Sequence, residues 1–377
     1  MPEGSPVGYT SSQMRNVAKS QRQSSFRLPT FLVLAAIAFM PLPRAIAQAG
    51  KSADGHLVIY SIDVEGGQAT LLVAPGKTSL LVDTGWPGEN GRDADRIQAA
   101  MKDAGITKID HLLITHFHVD HVGGVTQLAA RVPIGEFLDH GPNREDSDIT
   151  RHDFAAYLKV TEGKQRRTVH PGSTIDIPGL STIVLAADGN HIDAVPGVKP
   201  KPNPYCAAEP KADADPTENA FSAGILVTYG KFRFLDLGDL TKAKEIAMVC
   251  PNNPIPPIDL YLVTHHGFNL SNSRAIVDAI HPRVAIMNNG AHKAGSPEAW
   301  QTVHDSPGIE DLYMVHTAEG SDAAHNSPEA LIANPKGAAS DGAYFKVIAN
   351  TDGSFSVTNS RTGVTKNYAR TTVASGH

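Results

Sequence analysis

The segment THFHVDHVGG, residues 115–124, places three histidines and one aspartate within six positions. Imidazole and carboxylate groups at such density are the ligands that Zn²⁺ and similar metals take in proteins. The segment directly follows the apolar run KIDHLLI and precedes the helical pattern VTQLAARV. It therefore lies at the carboxyl end of a predicted strand, in the turn before a predicted helix, where α/β folds place their active sites.

Three further β-type runs end in residues that can bind a metal. LLVDTG places Asp83 at the end of a predicted strand. In the same way LDLGDL places Asp239, and LVTHHG places His265 and His266. Short β-branched runs separated by glycine turns favour strands, and RDADRIQAAMKDA between the first runs keeps helical spacing. The pattern predicts an α+β (α/β) fold in which two mixed sheets pack together with helices outside.

The ordered set of motifs resembles the metallo-β-lactamase fold superfamily, and within it the hydrolase domain of ComEC-type competence proteins and its stand-alone relatives. The segments that carry the resemblance are HFHVDHVGG, NAFSAGILVTYGKFRFLDLGDL, VTHHG and NNGAHKAGSPEAW. SIDVEGGQATLLV is similar to that branch's Asp-Val-Gly-Gln-Gly-Asp segment, with its order altered. The resemblance implies a four-layer αβ/βα sandwich, with a hydrolase domain over residues 56–350 and a C-terminal hairpin strand and tail over residues 351–377.

The resemblance also implies a role for each matching residue. The ligands it implies for two metal ions are His116 and His118 for the first, Asp120, His121 and His266 for the second, and Asp239 as the bridge. Asp120 would also orient the attacking water, and His265 would stabilise or protonate a leaving oxygen. Asp83 would support the ligand loop by hydrogen bonding without binding metal. The ligand set suits two Zn²⁺ ions, with Mn²⁺ or Fe as alternatives.

One ligand of the family pattern has no clear match. The superfamily commonly supplies a third histidine to the first metal, between the HxHxDH motif and the bridging aspartate. His140 in FLDHG and His191 in ADGNH are the two candidates. We prefer His140, because a parallel βαβ unit would bring its strand end to the same edge of the sheet. Contact with substrate is the alternative role, and if neither histidine binds, one tightly held metal ion is the working state.

The amino terminus predicts export. Basic residues precede the apolar run FLVLAAIAFMPL, and RAIAQA follows with small residues at Ala45 and Ala47. This order is typical of a signal peptide, here residues 1–47, with an uncleaved anchor as the alternative. The apolar run is short for a bilayer span. We therefore expect a periplasmic or secreted protein without a stable membrane span after cleavage.

Charge argues against nucleic acid as a partner. The whole chain has 33 Lys and Arg against 39 Asp and Glu. Cleavage after residue 47 would remove five basic residues and one acidic residue, leaving 28 against 38 and a formal net charge of −10. An acidic protein lacks the electrostatic footprint of a nucleic-acid binder.

The two cysteines, Cys206 and Cys250, form no CxxC pattern, so a thiolate zinc site is not expected. In an oxidising compartment they can form one disulfide, which we favour over two unpaired thiols.

These features predict an exported metal-dependent hydrolase. Divalent cations lower the pKa of water, which makes hydroxide available at neutral pH. The resemblance favours a phosphodiester or related ester, in a small molecule or a cell-envelope component. A β-lactam or lactone hydrolase is one alternative, and a non-catalytic binding protein stabilised by its metal is the other. The sequence gives no indication of oligomeric state.

Overall fold

The computed structural model describes residues 55–208, 211–335 and 341–370, which form one compact unit. The predicted signal peptide lies outside the described residues. Within them, every helix is too short or too polar to cross a membrane.

Nineteen strands and seven α-helices are found in this described part of the chain. The strands are β1 (Leu57–Ser61), β2 (Thr70–Val73), β3 (Ser79–Val82), β4 (Ile109–Leu113), β5 (Ile134–Asp139), β6 (Gln165–Thr168), β7 (Ser181–Ala187), β8 (Asn190–His191), β9 (Lys201–Pro202), β10 (Gly224–Tyr229), β11 (Phe232–Asp236), β12 (Asn252–Asn253), β13 (Leu260–Leu262), β14 (Val284–Met287), β15 (Asp311–His316), β16 (Ile332–Asn334), β17 (Phe345–Ala349), β18 (Phe355–Asn359) and β19 (Thr365–Tyr368). The helices are α1 (Arg92–Ala104), α2 (Val119–Val122), α3 (Val125–Ala129), α4 (Asp148–Thr161), α5 (Lys242–Val249), α6 (Arg274–Ile280) and α7 (Pro297–His304).

Two large mixed sheets organise these strands. The first has the strand order β19-β18-β17-β1-β2-β3-β4-β5-β6, and the second has the order β16-β15-β14-β13-β11-β10-β7-β8. Strands β3 to β6 run parallel, as do β11 and β13 to β16, while the remaining pairs in both sheets are antiparallel. β17 and β18 form a hairpin, as the segment AYFKVIANTDGSFSVTN with its Asp352-Gly353 turn predicts.

Three apolar clusters separate the layers. The central cluster joins side chains of both sheets, such as Val82 of β3 and Phe234 of β11. One outer cluster packs α1 and α3 on the first sheet, and the other packs α5, α6 and α7 on the second sheet. A strand covered on both faces is apolar throughout, and all five residues of β1 are buried. This arrangement confirms the predicted four-layer αβ/βα sandwich.

Parallel strands bring the chemically interesting segments to one edge. Asp83 follows β3 directly, and the HxHxDH motif begins three residues after β4. Asp239 follows β11 by three residues, and His265 and His266 lie in a short 3-10 turn just after β13. Because parallel strands end at the same edge of a sheet, residues far apart in sequence meet there.

The sequence pattern does not predict two of the helices, α4 and α5. The Ser147 hydroxyl caps α4 by accepting a hydrogen bond from the Thr150 N–H, and Tyr157 anchors the helix in the core. Neither helix has a long apolar stripe in its sequence, so the sequence pattern does not predict them. Their stability comes mainly from packing against the rest of the fold.

The favoured disulfide is confirmed. Cys206 and Cys250 are bonded, with their Cα atoms 5.9 Å apart. Cys206 lies in the proline-rich segment 196–219, which the sequence predicts as a binding loop, a lid or a disordered loop. Cys250 follows α5 directly. The bond therefore ties this long segment to the helical layer.

Candidate metal centre

Four buried side chains converge at the sheet edge: Asp120, His121, Asp239 and His266. One potential ligand atom of each lies within 4.8 Å of all the others. His121 Nε2 is 3.2 Å from Asp239 Oδ2, and His266 Nε2 is 3.4 Å from the same oxygen. The structure therefore brings together the residues predicted for the second metal and the predicted bridge.

The donor set fits a divalent cation. The two imidazole Nε2 atoms of His121 and His266 face each other at 3.1 Å, and Asp239 Oδ1 is buried without a hydrogen-bond partner among the described residues. A buried unpaired carboxylate oxygen is costly unless a cation or donor satisfies it. Two imidazoles and two carboxylates are a ligand set that Zn²⁺, Mn²⁺ and Fe accept.

His116 and His118 extend the cluster on one side. His116 Nε2 lies 3.1 Å from His118 Nδ1 and 3.9 Å from Asp239 Oδ2. The far nitrogen of His118, Nε2, contacts Glu145 Oε2 at 2.8 Å. This contact orients Nδ1 of His118 toward His116. A carboxylate that contacts the far ring nitrogen in this way fixes the tautomer of a metal-binding histidine.

Asp83 has the predicted hydrogen-bonding role. Its Oδ1 accepts a hydrogen bond of 2.7 Å from the Thr115 N–H, and its Oδ2 accepts one of 2.7 Å from the Thr115 hydroxyl. Oδ2 also lies 2.7 Å from His121 Nδ1. A hydrogen on Nδ1 of His121 leaves its Nε2 lone pair for the cluster, so one buried carboxylate fixes both the motif's backbone and the orientation of a ligand.

His140 has different neighbours. It is completely buried, its Nε2 lies 3.0 Å from Glu218 Oε2, and its ring packs on Phe117. The same Glu218 oxygen accepts a hydrogen bond from the Phe117 N–H. The pair thus supports the backbone inside the HxHxDH motif, and metal binding by His140 stays a prediction. The alternative, His191, is half-buried on β8, with Nδ1 3.2 Å from the Ile192 carbonyl oxygen.

His265 borders the cluster, and its contact with substrate stays a prediction. Its Nε2 lies 3.4 Å from Asp239 Oδ2, and its Nδ1 lies 3.1 Å from the Ser271 hydroxyl. Burial lowers the pKa of His265 to about 4. The ring is therefore neutral at neutral pH and acts as a hydrogen-bond donor or acceptor.

Charges in the cluster are strongly coupled. Burial alone would lower the pKa of His121, but the carboxylates of Asp239, Asp120 and Asp83 hold it well above its usual range. Burial would raise the pKa of Asp239, and the surrounding imidazoles hold it well below instead. Both pKa shifts have the same cause, which is the close contact between imidazoles and carboxylates inside a buried cluster.

Sequence reasoning missed Lys293. Its Nζ makes a short contact with Asp120 Oδ2 and donates a 2.6 Å hydrogen bond to the Gly66 carbonyl oxygen. It also lies 5.0 Å from the centre of the Trp86 ring. A single lysine inside NNGAHKAGS gives no pattern that would separate it from a solvent-exposed one.

A second group of potential ligands is already paired. Asp63, Glu65 and His316 lie together, with His316 Nε2 2.8 Å from Asp63 Oδ1. The Arg96 guanidinium bridges the two carboxylates at 3.1 Å each. With a guanidinium at its centre, this group is a largely buried ion-pair network that includes both acidic residues of the segment SIDVEGG.

Gly124 permits the tight turn between α2 and α3. A Cβ atom at this position would lie 2.1 Å from the Thr84 carbonyl oxygen. The backbone has ordinary helical angles there, so close approach of the β3 loop, and not an unusual φ, requires glycine.

Residues 63–196 match the model of the metallo-beta-lactamase superfamily, and the order of the layers and the position of the cluster agree with this similarity.

Among known proteins, the chain is similar to an atrochrysone carboxyl ACP thioesterase of Aspergillus fumigatus, 29% identical over 184 residues, which covers 44% of this chain and 37% of that protein. It is also similar to the lactamase-like protein notP of an Aspergillus species, 34% identical over 142 residues, covering 36% of this chain and 39% of the other. The chain thus spans well under half the length of these relatives. The solved metallo-beta-lactamase fold protein YhfI from Bacillus subtilis has 12% identity and a TM-score of 0.42, covering 68% of this chain and 96% of that one.

Proposed function

We propose that this protein is a metal-dependent hydrolase that cleaves a small-molecule ester or thioester. The observation that carries the proposal is the buried cluster of Asp120, His121, Asp239 and His266, in which Asp239 Oδ1 has no hydrogen-bond partner in the described part of the chain. A buried site of imidazoles and carboxylates needs a cation to compensate its charges. This site lies at the carboxyl ends of parallel strands, where α/β folds place active sites, so we favour a hydrolytic role over a purely structural one.

The chain's own residues divide the work. His116, His118, Asp120, His121, Asp239 and His266 would hold one or two divalent cations, with Zn²⁺ as our first choice. When bound, such cations activate water and stabilise negative charge that develops on the substrate. Asp83 and Glu145 fix the tautomers of His121 and His118. Neutral His265, at the border of the cluster, would orient the substrate by a hydrogen bond with a ring nitrogen.

The choice of ester rests on the relatives. Some are named as thioesterases of an acyl carrier protein, and a thioester carbonyl reacts with the same nucleophile as an ordinary ester. A phosphodiester is the second candidate, because VTHHG and NNGAHKAGSPEAW resemble ComEC-type hydrolases. In this second candidate Lys293 beside the cluster supplies an additional positive charge for an anionic substrate.

We also propose that the protein acts after export. The signal-peptide pattern of residues 1–47 supports this placement, and so does the Cys206–Cys250 disulfide, since such bonds persist in oxidising compartments. Detection of the mature protein in culture supernatant or periplasm, with its amino terminus near residue 48, tests the placement.

The test of function is a substrate panel on the purified protein with and without chelator. The panel contains an acyl thioester of N-acetylcysteamine, a p-nitrophenyl ester, bis-p-nitrophenyl phosphate and a chromogenic β-lactam. We expect turnover of the thioester or ester, lost with chelator and restored by Zn²⁺. Metal bound at full stoichiometry without turnover on any substrate would contradict the proposal and favour a metal-stabilised binding protein.

Asp239→Asn links the activity to the cluster. Because Asp239 Oδ2 lies near four histidines, we expect its replacement to lower kcat/KM by about 100-fold or more, beyond the loss typical of a supporting residue. Asp259→Asn is the matched control: this carboxylate is also buried, but it precedes β13 at the opposite end of the strand. It should leave kcat/KM within a few-fold of the original.

A further inference from the structure

Lys293 touches the metal centre at one particular atom. Its ammonium contacts Asp120 Oδ2. The same oxygen lies 3.2 Å from His266 Nε2 and 3.4 Å from His121 Nε2. The lysine therefore meets Asp120 on the oxygen that faces the other ligands of the predicted second cation.

The position of this ammonium does not depend on Asp120 alone. The Gly66 carbonyl oxygen accepts its hydrogen bond, and the Trp86 ring covers it. These partners come from two separate loops, after β1 and after β3. A backbone turn also fixes the lysine, since its carbonyl oxygen accepts a hydrogen bond from the Gly290 N–H. Three structural segments thus hold one cationic group against the cluster.

The side chain can leave this position. It is 27% exposed, whereas Asp120 is 10% exposed and His266 is fully buried. A lysine ammonium is strongly hydrated and mounted on a flexible stem, so movement toward solvent is feasible. A metal cation and the ammonium, both bound to Asp120 Oδ2, would repel each other strongly because the site is partly buried.

We propose that Lys293 is an internal counter-cation for the second metal position and competes with the second metal ion for Asp120. This inference rests on the metal centre of the proposed function. A first cation, held by His116 and His118, would not have to displace the lysine. A second cation would have to move the ammonium away or share Asp120 with it. We therefore expect the protein to hold one metal ion at low metal concentration and two at high concentration.

Calorimetric titration of the purified, chelator-treated protein with Zn²⁺ tests the proposal, with bound metal counted by elemental analysis. We expect two binding events in the original protein, the second at least tenfold weaker. Lys293→Met should tighten the second event by about tenfold or more, because a contact with a charged group is removed from the competing state. Lys293→Arg, which keeps the charge, should retain the weak second event.

Lys346→Met is the matched control. Lys346 also pairs with a carboxylate, Asp103, and covers an aromatic ring, that of Tyr60. It lies on β17 and contacts none of the described cluster residues. Its replacement should leave both binding events unchanged. Equal second affinities in the original protein and in a folded Lys293→Met variant would overturn the proposal.

A second measurement needs no variant. Acetylation by an amine-reactive ester, read by mass spectrometry, reports how accessible each lysine is during the Zn²⁺ titration. Labelling of Lys293 should rise as the second equivalent binds, while labelling of Lys346 stays constant. Constant Lys293 labelling would overturn the competition. If replacing Lys293 does not change metal binding, the competition is wrong and the hydrolase proposal still stands. If replacing Lys293 changes metal binding but the protein has no esterase activity, the hydrolase proposal is wrong and the competition still stands.

Discussion

Asp83→Asn keeps the shape of a buried side chain and removes its charge, and we expect the variant to lose either metal affinity or stability. In the original protein all three neighbours donate to Asp83: the Thr115 N–H, the Thr115 hydroxyl and His121 Nδ1, each at 2.7 Å. An asparagine has one acceptor oxygen and one NH₂ group. The NH₂ group of the asparagine must therefore occupy the position of one of the two carboxylate oxygens.

Suppose first that the NH₂ group takes the position of Oδ2. It then donates to His121 Nδ1, which has to be unprotonated, and the hydrogen of the neutral ring moves to Nε2. That nitrogen can no longer bind a metal. Loss of a partner that fixes a ligand's tautomer typically weakens metal affinity 10–100-fold, and we expect a decrease of about that size.

Suppose instead that the NH₂ group takes the position of Oδ1. His121 keeps its orientation, but the NH₂ group faces the buried Thr115 N–H. An unsatisfied buried donor costs about 1–3 kcal/mol. The variant then binds metal normally and unfolds more easily by this amount.

Two assays separate these outcomes. Competition with a chromogenic chelator gives the affinity for Zn²⁺, and urea denaturation gives the free energy of unfolding. Asp259→Asn serves as control, because Asp259 also accepts a hydrogen bond from a backbone N–H, that of Arg233. It should lose stability without losing metal. An Asp83→Asn protein with both the original affinity and the original stability would refute the reasoning.

Three further predictions concern other buried groups. Burial raises the pKa of Glu245 to about 7, so the folded state binds more protons than the unfolded state between about pH 4.5 and 7, and this contribution to stability is lost as the pH rises through 7. Glu245→Gln should remove about 2–3 kcal/mol of that decline, measured by urea denaturation at pH 5 and pH 8; an unchanged decline would contradict the assignment. Replacing Cys206 and Cys250 by serine opens a crosslink between residues 44 apart and should lower the free energy of unfolding by about 2–4 kcal/mol without changing the metal content; a change in metal content would show that the crosslink also shapes the centre. His140→Gln distinguishes a ligand from a support of Glu218: the contacts in the structure lead us to expect unchanged metal stoichiometry, and loss of one metal ion would show that His140 is a ligand.

The sequence predicts the layers and the meeting point of the cluster well, for a physical reason. Asp83, Asp239 and the HxHxDH motif each follow an apolar β run, and parallel strands carry such ends to one edge. Strand patterns and glycine turns are local signals, so they can be recognised without the fold. The disulfide could be favoured on the compartment alone, but its geometry required the structure.

What the sequence concealed depends on tertiary contacts. Lys293 reaches Asp120 across 173 positions, and Glu218 reaches His140 across 78. No periodicity records such pairs. Helix α4 was missed because only Thr150, Tyr157 and Thr161 of its 14 residues are buried, which is too weak a stripe to separate a helix from a loop.

The hydrogen bond network around His121 has a consequence for how the centre fills. The neighbouring carboxylates hold the pKa of His121 well above its usual range, and a nitrogen that binds a metal ion has to be unprotonated. We therefore expect the uptake of a metal ion to release hydrogen ions. Acid should oppose filling of the centre and alkali should favour it, so that at a fixed metal concentration the fraction of molecules that carry metal rises with pH.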